Sequence, residues 1–248
     1  MSTPVEIVEK KPVPEGLTIL CGLPDVGLVG AIAVSHITSQ LKMNEVAYVR
    51  SDLLPPVVVL EKGISRSPIR IVGNSSLMAL VSEIAIPTTA LHPVIQSIVN
   101  WMETKKPKTV ISLGGLATPN RQQLIEPKVF GVASNETSIK TLNAQGIEIM
   151  ERGFLVGPQA LILSYCAEKN VPAVALLAEA FYNYPDPEAA AAVIKSLNQI
   201  IDLQIDVSEL LKKGEEVRLR MRDIMKRTQT ELARMQKSRE YDVPGFYL

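Results

Sequence analysis

Across its first two hundred residues, the sequence alternates between short apolar runs that stop at glycine or proline and longer stretches with apolar residues at helical spacing. Such runs are typical of buried β-strands, and such stretches are typical of helices that cover a sheet. Because the runs are continuously apolar, both faces of the sheet are expected to be covered. The alternation predicts an α/β fold, a three-layer α/β/α sandwich with a largely parallel sheet.

The predicted elements follow one another along the chain. Strands are expected at residues 17–22, 46–49, 57–60, 69–72, 77–81, 109–113, 129–133 and 172–177. Helices are expected at residues 28–41, 93–104, 136–144, 157–169 and 186–203. Pro93 is placed in the first turn of its helix, where proline is tolerated. Asp186 and Pro187 are typical of an N-cap and a first helical position.

Charge and composition exclude several classes of protein. The chain has 26 Lys and Arg against 26 Asp and Glu, and this zero net charge argues against nucleic-acid binding. No stretch reaches the roughly 18 apolar residues of a membrane span. The first residues lack the pattern of a signal peptide, and two cysteines, Cys21 and Cys166, are too few for a disulfide framework. We therefore expect a soluble, cytoplasmic protein.

The C-terminal part divides the chain into three regions. Residues 1–205 form the expected α/β/α domain, residues 206–240 an amphipathic helix, and residues 241–248 a flexible tail. The apolar positions of the helix recur mostly every three or four residues, close to a heptad seam. Two interpretations remain open: the helix folds back on its own domain, or it contacts another copy or a partner. The narrow apolar stripe favours the second.

The tail ends in a hydrophobic residue, a tyrosine and a final residue with a free carboxylate: Phe246, Tyr247 and Leu248. Pro244 and Gly245 just before them end regular structure and favour a flexible arm. The ionised carboxylate can pair with a lysine while the aromatic rings fill an apolar slot, which is a known mode of terminus recognition. These three residues are the predicted partner-binding site.

Other candidate sites are weaker. No C-x-x-C or H-x-x-x-H pair occurs, so neither a metal nor a cofactor is expected. The glycine turn at residues 22–30 is neither G-x-G-x-x-G nor a Walker loop, and it favours helix packing over anion binding. Gly114, Gly115 and Glu179 follow buried strands and could frame an enzyme pocket.

Five segments in order, residues 22–33, 112–116, 155–161, 172–179 and 184–190, resemble the proteasome assembly chaperone family of archaea and bacteria. The resemblance implies an α/β/α fold of the kind seen in nucleoside phosphorylases and hydrolases, without catalysis. Asp25 stands where the family often has glycine, and an acid there would repel phosphate.

In archaeal members of that family, a C-terminal hydrophobic-Tyr-any motif is implied to bind the α-ring of the proteasome core particle, and Phe246, Tyr247 and Leu248 match it. The resemblance implies a homo-oligomeric, non-catalytic assembly chaperone or activator. Its tail would dock between neighbouring α-subunits, where a lysine meets the carboxylate and the gate opens. The alternative is a small-molecule enzyme of the nucleoside phosphorylase or hydrolase type, which would need an arginine near a glycine turn.

Overall fold

A computed structural model describes residues 4–237 of the chain, which form a nine-stranded sheet, a two-stranded hairpin and seven α-helices. The strands are β1 (Val5–Glu9), β2 (Thr18–Gly22), β3 (Asn44–Ser51), β4 (Val59–Glu61), β5 (Ile64–Arg66), β6 (Ile69–Gly73), β7 (Leu77–Ser82), β8 (Val110–Ala117), β9 (Val129–Ala133), β10 (Glu148–Ile149) and β11 (Ala173–Ala180). The helices are α1 (Val29–Gln40), α2 (Thr88–Thr104), α3 (Glu136–Ala144), α4 (Pro158–Glu168), α5 (Pro187–Ile201), α6 (Ser208–Lys212) and α7 (Gly214–Arg234). In this part of the chain, no helix is long and apolar enough to span a bilayer.

The large sheet is parallel at its centre and mixed in its arms. Its order is β1-β3-β6-β7-β2-β8-β11-β9-β10, and β4 pairs with β5 as a separate hairpin. Neighbours among β7, β2, β8 and β11 pair in parallel, whereas β1, β3, β6 and β7 pair antiparallel, as do β11 and β9. The expectation of a largely parallel sheet is therefore correct for the centre only. The carboxyl ends of the four central strands share one edge, where ligands bind in many α/β proteins.

Helices cover both faces of the sheet, as predicted. One apolar cluster joins α2 and α4 to the sheet through residues such as Ile95 and Cys166. A second cluster joins α1 and α5 to the other face through residues such as Ile32 and Ile194. The three-layer α/β/α sandwich is thus confirmed.

Two predicted helices differ from the structure, and strands β1, β5 and β10 were not predicted. Helix α2 begins at Thr88, not at Pro93, because the Thr88 amide donates to the carboxylate of Glu231 far along the chain. The single helix expected over 206–240 is wrong, because the backbone leaves helical geometry at Lys213 and divides it into α6 and α7. Strand β1 at the sheet edge was not predicted, since its polar positions hide the apolar period.

Glycine packing sets the approach of α1 to the sheet. A Cβ added at Gly30 would lie 2.0 Å from the carbonyl oxygen of Leu113 in β8, and one at Gly22 would lie 2.4 Å from the Cβ of Val34. Both separations are far shorter than any van der Waals contact, so only glycine allows the helix to lie this close. The packing role expected for Gly30 is confirmed.

We expect Gly30→Ala to destabilise the protein by about 3 kcal/mol, because overpacking against a fixed backbone carbonyl outweighs the gain of about 1 kcal/mol in helix propensity. Urea unfolding followed by circular dichroism measures the loss. Gly73→Ala is the matched control, since its new Cβ would find no atom closer than 3.4 Å. Equal stability of the two variants would contradict the packing role.

Candidate functional site at the carboxyl edge of the sheet

Helix α7 lies over the carboxyl edge of the central strands. Its residues Leu232 and Met235 face Leu23, after β2, and Ile86, after β7, across a cavity of about 10 Å³. Leu232 is 1% exposed. A gap of that size holds at most about one water molecule. The chain's own helix therefore fills much of the crevice in which α/β proteins commonly bind ligands.

Polar contacts tie α7 to the loops along this edge. The amide and hydroxyl of Thr88, at the start of α2, both donate to Oε2 of Glu231 at 2.7 Å. Arg218 donates to both carboxylate oxygens of Glu188, at 2.7 and 2.6 Å. Gln229 donates to the carbonyl oxygen of Asn183 at 2.7 Å. These contacts fix the register of α7 on the edge.

The apolar stripe of α7 packs on the same domain. Met225 and Leu232 are buried, and Val217, Met221 and Ile224 pack on the cluster that also holds α1 and α5. Of the two interpretations left open by the sequence, the helix that folds back is correct. The favoured one assigned the stripe to a contact with another copy or a partner, and it is wrong for the stripe because the chain's own domain packs against it.

Lys237, the last described residue, carries its ammonium into the protein. Its Nζ lies 3.1 Å from Oδ2 of Asp25, and both side chains are 0% exposed. The same Nζ donates to the carbonyl oxygen of Val156. Burial raises the pKa of the Asp25 carboxyl above its ordinary value, although the nearby ammonium of Lys237 opposes this. The ion beside the glycine turn after β2 is thus a cation of the same chain. This agrees with the expectation that Asp25 would repel phosphate there.

The residues that could frame an enzyme pocket, Gly114, Gly115 and Glu179, contact other groups of the chain. A Cβ at Gly114 would lie 2.7 Å from the amide nitrogen of Gln159, and one at Gly115 would lie 2.4 Å from the carbonyl oxygen of Val26. Glu179 accepts a hydrogen bond from the amide of Lys128 at 2.9 Å. The two glycines therefore make room for neighbouring groups of the chain, and Glu179 has a structural partner.

A buried arginine at this edge was missed in the sequence. Arg121 donates to Asp186 through Nε at 2.8 Å and Nη2 at 3.0 Å, and its guanidinium lies 5.1 Å from the centre of the Phe181 ring. Asp186 also caps α5 by accepting from the Ala189 amide, and its own amide donates to the carbonyl oxygen of Gly27. An arginine does lie near the glycine turn, but a bidentate carboxylate already neutralises it. The N-cap signal of Asp186 was the one hint in the sequence.

The remaining candidates have structural partners. His36 contacts the carbonyl oxygen of Asp206 at 2.7 Å, and His92 contacts the Tyr165 hydroxyl at 2.8 Å. Burial raises the pKa of the Cys166 thiol to about 12 and raises that of Cys21 as well, which makes both poor nucleophiles. Residues 4–237 contain no cluster of side chains suited to a metal ion.

The predicted partner-binding residues, Phe246, Tyr247 and Leu248, lie outside the described residues. The structure does show the residue from which this C-terminal segment continues. Residues 238–248 follow Lys237, whose side chain is anchored beside Asp25 at the carboxyl edge.

The match to a family model runs from residue 19 to residue 225, across the sheet and most of α7. The chain belongs to the PAC2 family. A relative of the chain, an uncharacterised protein of Methanocaldococcus jannaschii, is 30% identical over 237 residues, which are 95% of this chain and 96% of the relative.

Two solved structures share the fold of this PAC2 protein. The crystal structure of Pyrococcus furiosus PbaA, an archaeal homolog of proteasome-assembly chaperone, has a TM-score of 0.86 at 29% identity and covers 93% of this chain and 100% of its own. That of Pyrococcus furiosus PbaB, an archaeal proteasome activator, has a TM-score of 0.75 at 22% identity and covers 90% of this chain and 99% of its own. At the lower identity the likeness shows the fold alone.

We expect Lys237→Met to destabilise this PAC2 protein by about 3 kcal/mol at neutral pH, because it leaves a buried carboxylate without its cation. The raised pKa of Asp25 gives the sign of the pH effect: protonation in the folded state offsets the loss, so the deficit shrinks as the pH falls towards about 4. Denaturant unfolding across this pH range measures the change.

The exposed Lys226 of α7 supplies the matched control, Lys226→Met. Asp25→Asn combined with Lys237→Met should be more stable than Lys237→Met alone, because the unpaired charge is gone. A deficit that the double variant does not reduce would contradict an ion pair between the two residues.

Proposed function

We propose that the protein is a non-catalytic proteasome assembly chaperone or activator that docks Phe246, Tyr247 and Leu248 between neighbouring α-subunits of the core particle. It acts as a homo-oligomer, so that several tails engage one α-ring. Membership of the PAC2 family and the likeness to PbaA, a homolog of proteasome-assembly chaperone, support this role. The fold shared with PbaB, a proteasome activator, is compatible with the second form of the proposal.

The observation that carries the proposal is the course of the chain end. Helix α7 crosses the carboxyl edge, Lys237 is anchored beside Asp25, and the residues that follow end in the hydrophobic-Tyr-any pattern. At about 3.3–3.6 Å per residue, residues 238–248 span at most about 40 Å when fully extended. A firm root at the start of such a segment keeps its motif within a bounded distance of the domain.

The chemistry of docking follows from the three side chains and the terminus. The Leu248 carboxylate pairs with a lysine of the α-ring, while Tyr247 and Phe246 fill an apolar slot. A tripeptide buries too little surface to bind tightly alone, because ordering the chain consumes much of the gain. Several tails on one oligomer raise the effective concentration and can increase the affinity by about 10²–10⁴-fold.

The packing around Leu232, Gly114 and Arg121, which fills this part of the carboxyl edge, supports the non-catalytic part of the proposal over a phosphorylase or hydrolase. Leu232 of α7 packs into the crevice, Gln159 takes the space at Gly114, and Asp186 neutralises Arg121. A phosphate-binding site would need an arginine free to meet the substrate. We expect no phosphorolysis of a nucleoside panel above background by ultraviolet absorbance, and turnover that depends on Arg121 would favour the enzyme.

Removal of Phe246–Leu248 should abolish co-migration with an archaeal core particle in native gel electrophoresis, because it deletes both rings and moves the terminal carboxylate back to Gly245. Tyr247→Ala should weaken binding at least about 10-fold, since buried tyrosines are common binding hot spots. The matched control is Tyr241→Ala, a tyrosine of the same C-terminal segment outside the motif. Unchanged co-migration of the truncated protein, with its unfolding transition intact, would refute the docking.

Two further measurements separate the forms of the proposal. Light scattering gives the mass of the free protein, which exceeds that of the 27.1 kDa chain if the homo-oligomer forms. An activator increases hydrolysis of a fluorogenic peptide by the mature core particle, whereas an assembly chaperone increases only the yield of core particle from its separate subunits.

A further inference from the structure

A second surface lies between α7 and the antiparallel arm of the sheet. It is a groove of about 840 Å³ whose walls are α1, α7, strands β6 and β7, and the β4–β5 hairpin, and we call it the basic groove. Its volume falls within the range of pockets that bind ligands, about 300–1,000 Å³. Neither the family membership nor the proposed docking of the tail assigns it a function.

The groove carries an excess of positive charge. Its charged lining consists of six cations, Lys10, Lys11, Arg66, Arg70, Arg220 and Arg227, and three carboxylates, Glu45, Glu61 and Glu83. The carboxylates are already engaged: Glu45 pairs with Lys10 and Arg66, Glu61 with Arg66, and Glu83 with Arg70. Each acid of the groove is therefore neutralised from within it.

Three cations remain without an acidic partner in the described chain: Lys11, Arg220 and Arg227. Guanidinium and ammonium groups donate strong hydrogen bonds to anionic oxygens. The groove is thus electrostatically prepared for an anionic ligand.

The cations of α7 are separated by apolar residues. Arg220 and Arg227 lie two helical turns apart, about 10 Å along the axis, with Met221 and Ile224 between them on the groove side. On the facing wall, Val57 and Val59 point into the groove, while Val58 and Leu60 of the same hairpin are 60% and 72% exposed. The groove therefore presents apolar walls between separated positive charges.

This pattern distinguishes between anionic ligands. A nucleotide or single-stranded nucleic acid binds best where aromatic rings stack on its bases. Within the described chain, no Phe, Tyr or Trp lines the groove. In an extended peptide the side chains alternate between two faces, so two carboxylates four residues apart share one face and lie about 13 Å apart. That separation is within reach of two long arginine side chains, and the residue midway between the carboxylates offers an apolar side chain on the same face.

We propose that the basic groove binds an extended acidic peptide segment of a partner protein, with carboxylates at Arg220 and Arg227 and apolar side chains against Met221 and Ile224. The site is independent of the C-terminal motif. Loss of either binding activity leaves the other in place.

The test uses the full-length protein and a peptide labelled at its N-terminus, fluoresceinyl-Gly-Glu-Ser-Ile-Ser-Glu-Gly-amide, followed by fluorescence anisotropy. The wild type should bind it saturably, and a peptide with both Glu replaced by Gln should bind at least about 10-fold more weakly. Arg220→Gln with Arg227→Gln should cause a similar loss. Both arginines are exposed, so the fold should persist, which circular dichroism checks.

The matched control is Arg222→Gln with Lys226→Gln, which removes the same charge from exposed positions of α7 outside the groove. It should change the affinity less than about 2-fold. Equal losses in the two double variants, equal binding of the neutral peptide, or no saturable binding would overturn the proposal. Tighter binding of ATP or oligo-dA, lost in Arg220→Gln with Arg227→Gln, would overturn it in favour of a phosphate ligand.

Discussion

The ion pair between Asp25 and Lys237 is the constraint on which the arrangement of the C-terminal region depends. Both side chains are fully buried, and removing two charges from water costs several kcal/mol per ion unless the pair is well matched. Replacing a buried ion pair by apolar residues often leaves stability unchanged or increases it. We therefore attribute to this pair the positioning of the chain after α7. It fixes the end of the C-terminal helix region over the glycine turn that follows β2.

The position of the C-terminal helix region determines which groups occupy the carboxyl edge of the sheet. Helices α1, α2, α4 and α5 all begin there, and helix N-termini attract anions. In this protein the anions belong to the chain: Glu231 accepts from the start of α2, and Asp186 caps α5 while holding Arg121. Internal carboxylates and α7 thus occupy much of the edge at which other α/β proteins place a ligand, and the carboxyl ends of β2 and β7 line the basic groove.

Local signals in the sequence were enough for the layers of the fold. Continuous apolar runs such as residues 172–177 require cover on both faces, and Asp186 with Pro187 is a local signal for the start of a helix. The sequence could not give contacts between distant residues. Thr88 starts its helix five residues before Pro93 because Glu231 caps it, and nothing in the local sequence records that partner.

The candidate site also has a part that local sequence predicts and a part that depends on contacts between distant residues. The terminal motif is a local pattern, whereas the position of α7 depends on the contact of Lys237 with Asp25, which lies more than two hundred residues away. A lysine near the end of an amphipathic helix is normally solvated, so its burial has no sequence signature. The apolar stripe of that helix fits a seam between copies and a contact with its own domain equally well, and only the observed packing decides between them.

Cryo-electron microscopy of the protein bound to an archaeal proteasome core particle tests the central claim most directly. We expect density for Phe246, Tyr247 and Leu248 in the clefts between α-subunits, with α7 still on the carboxyl edge and Lys237 beside Asp25. A complex held by another surface, with those clefts empty, would contradict it.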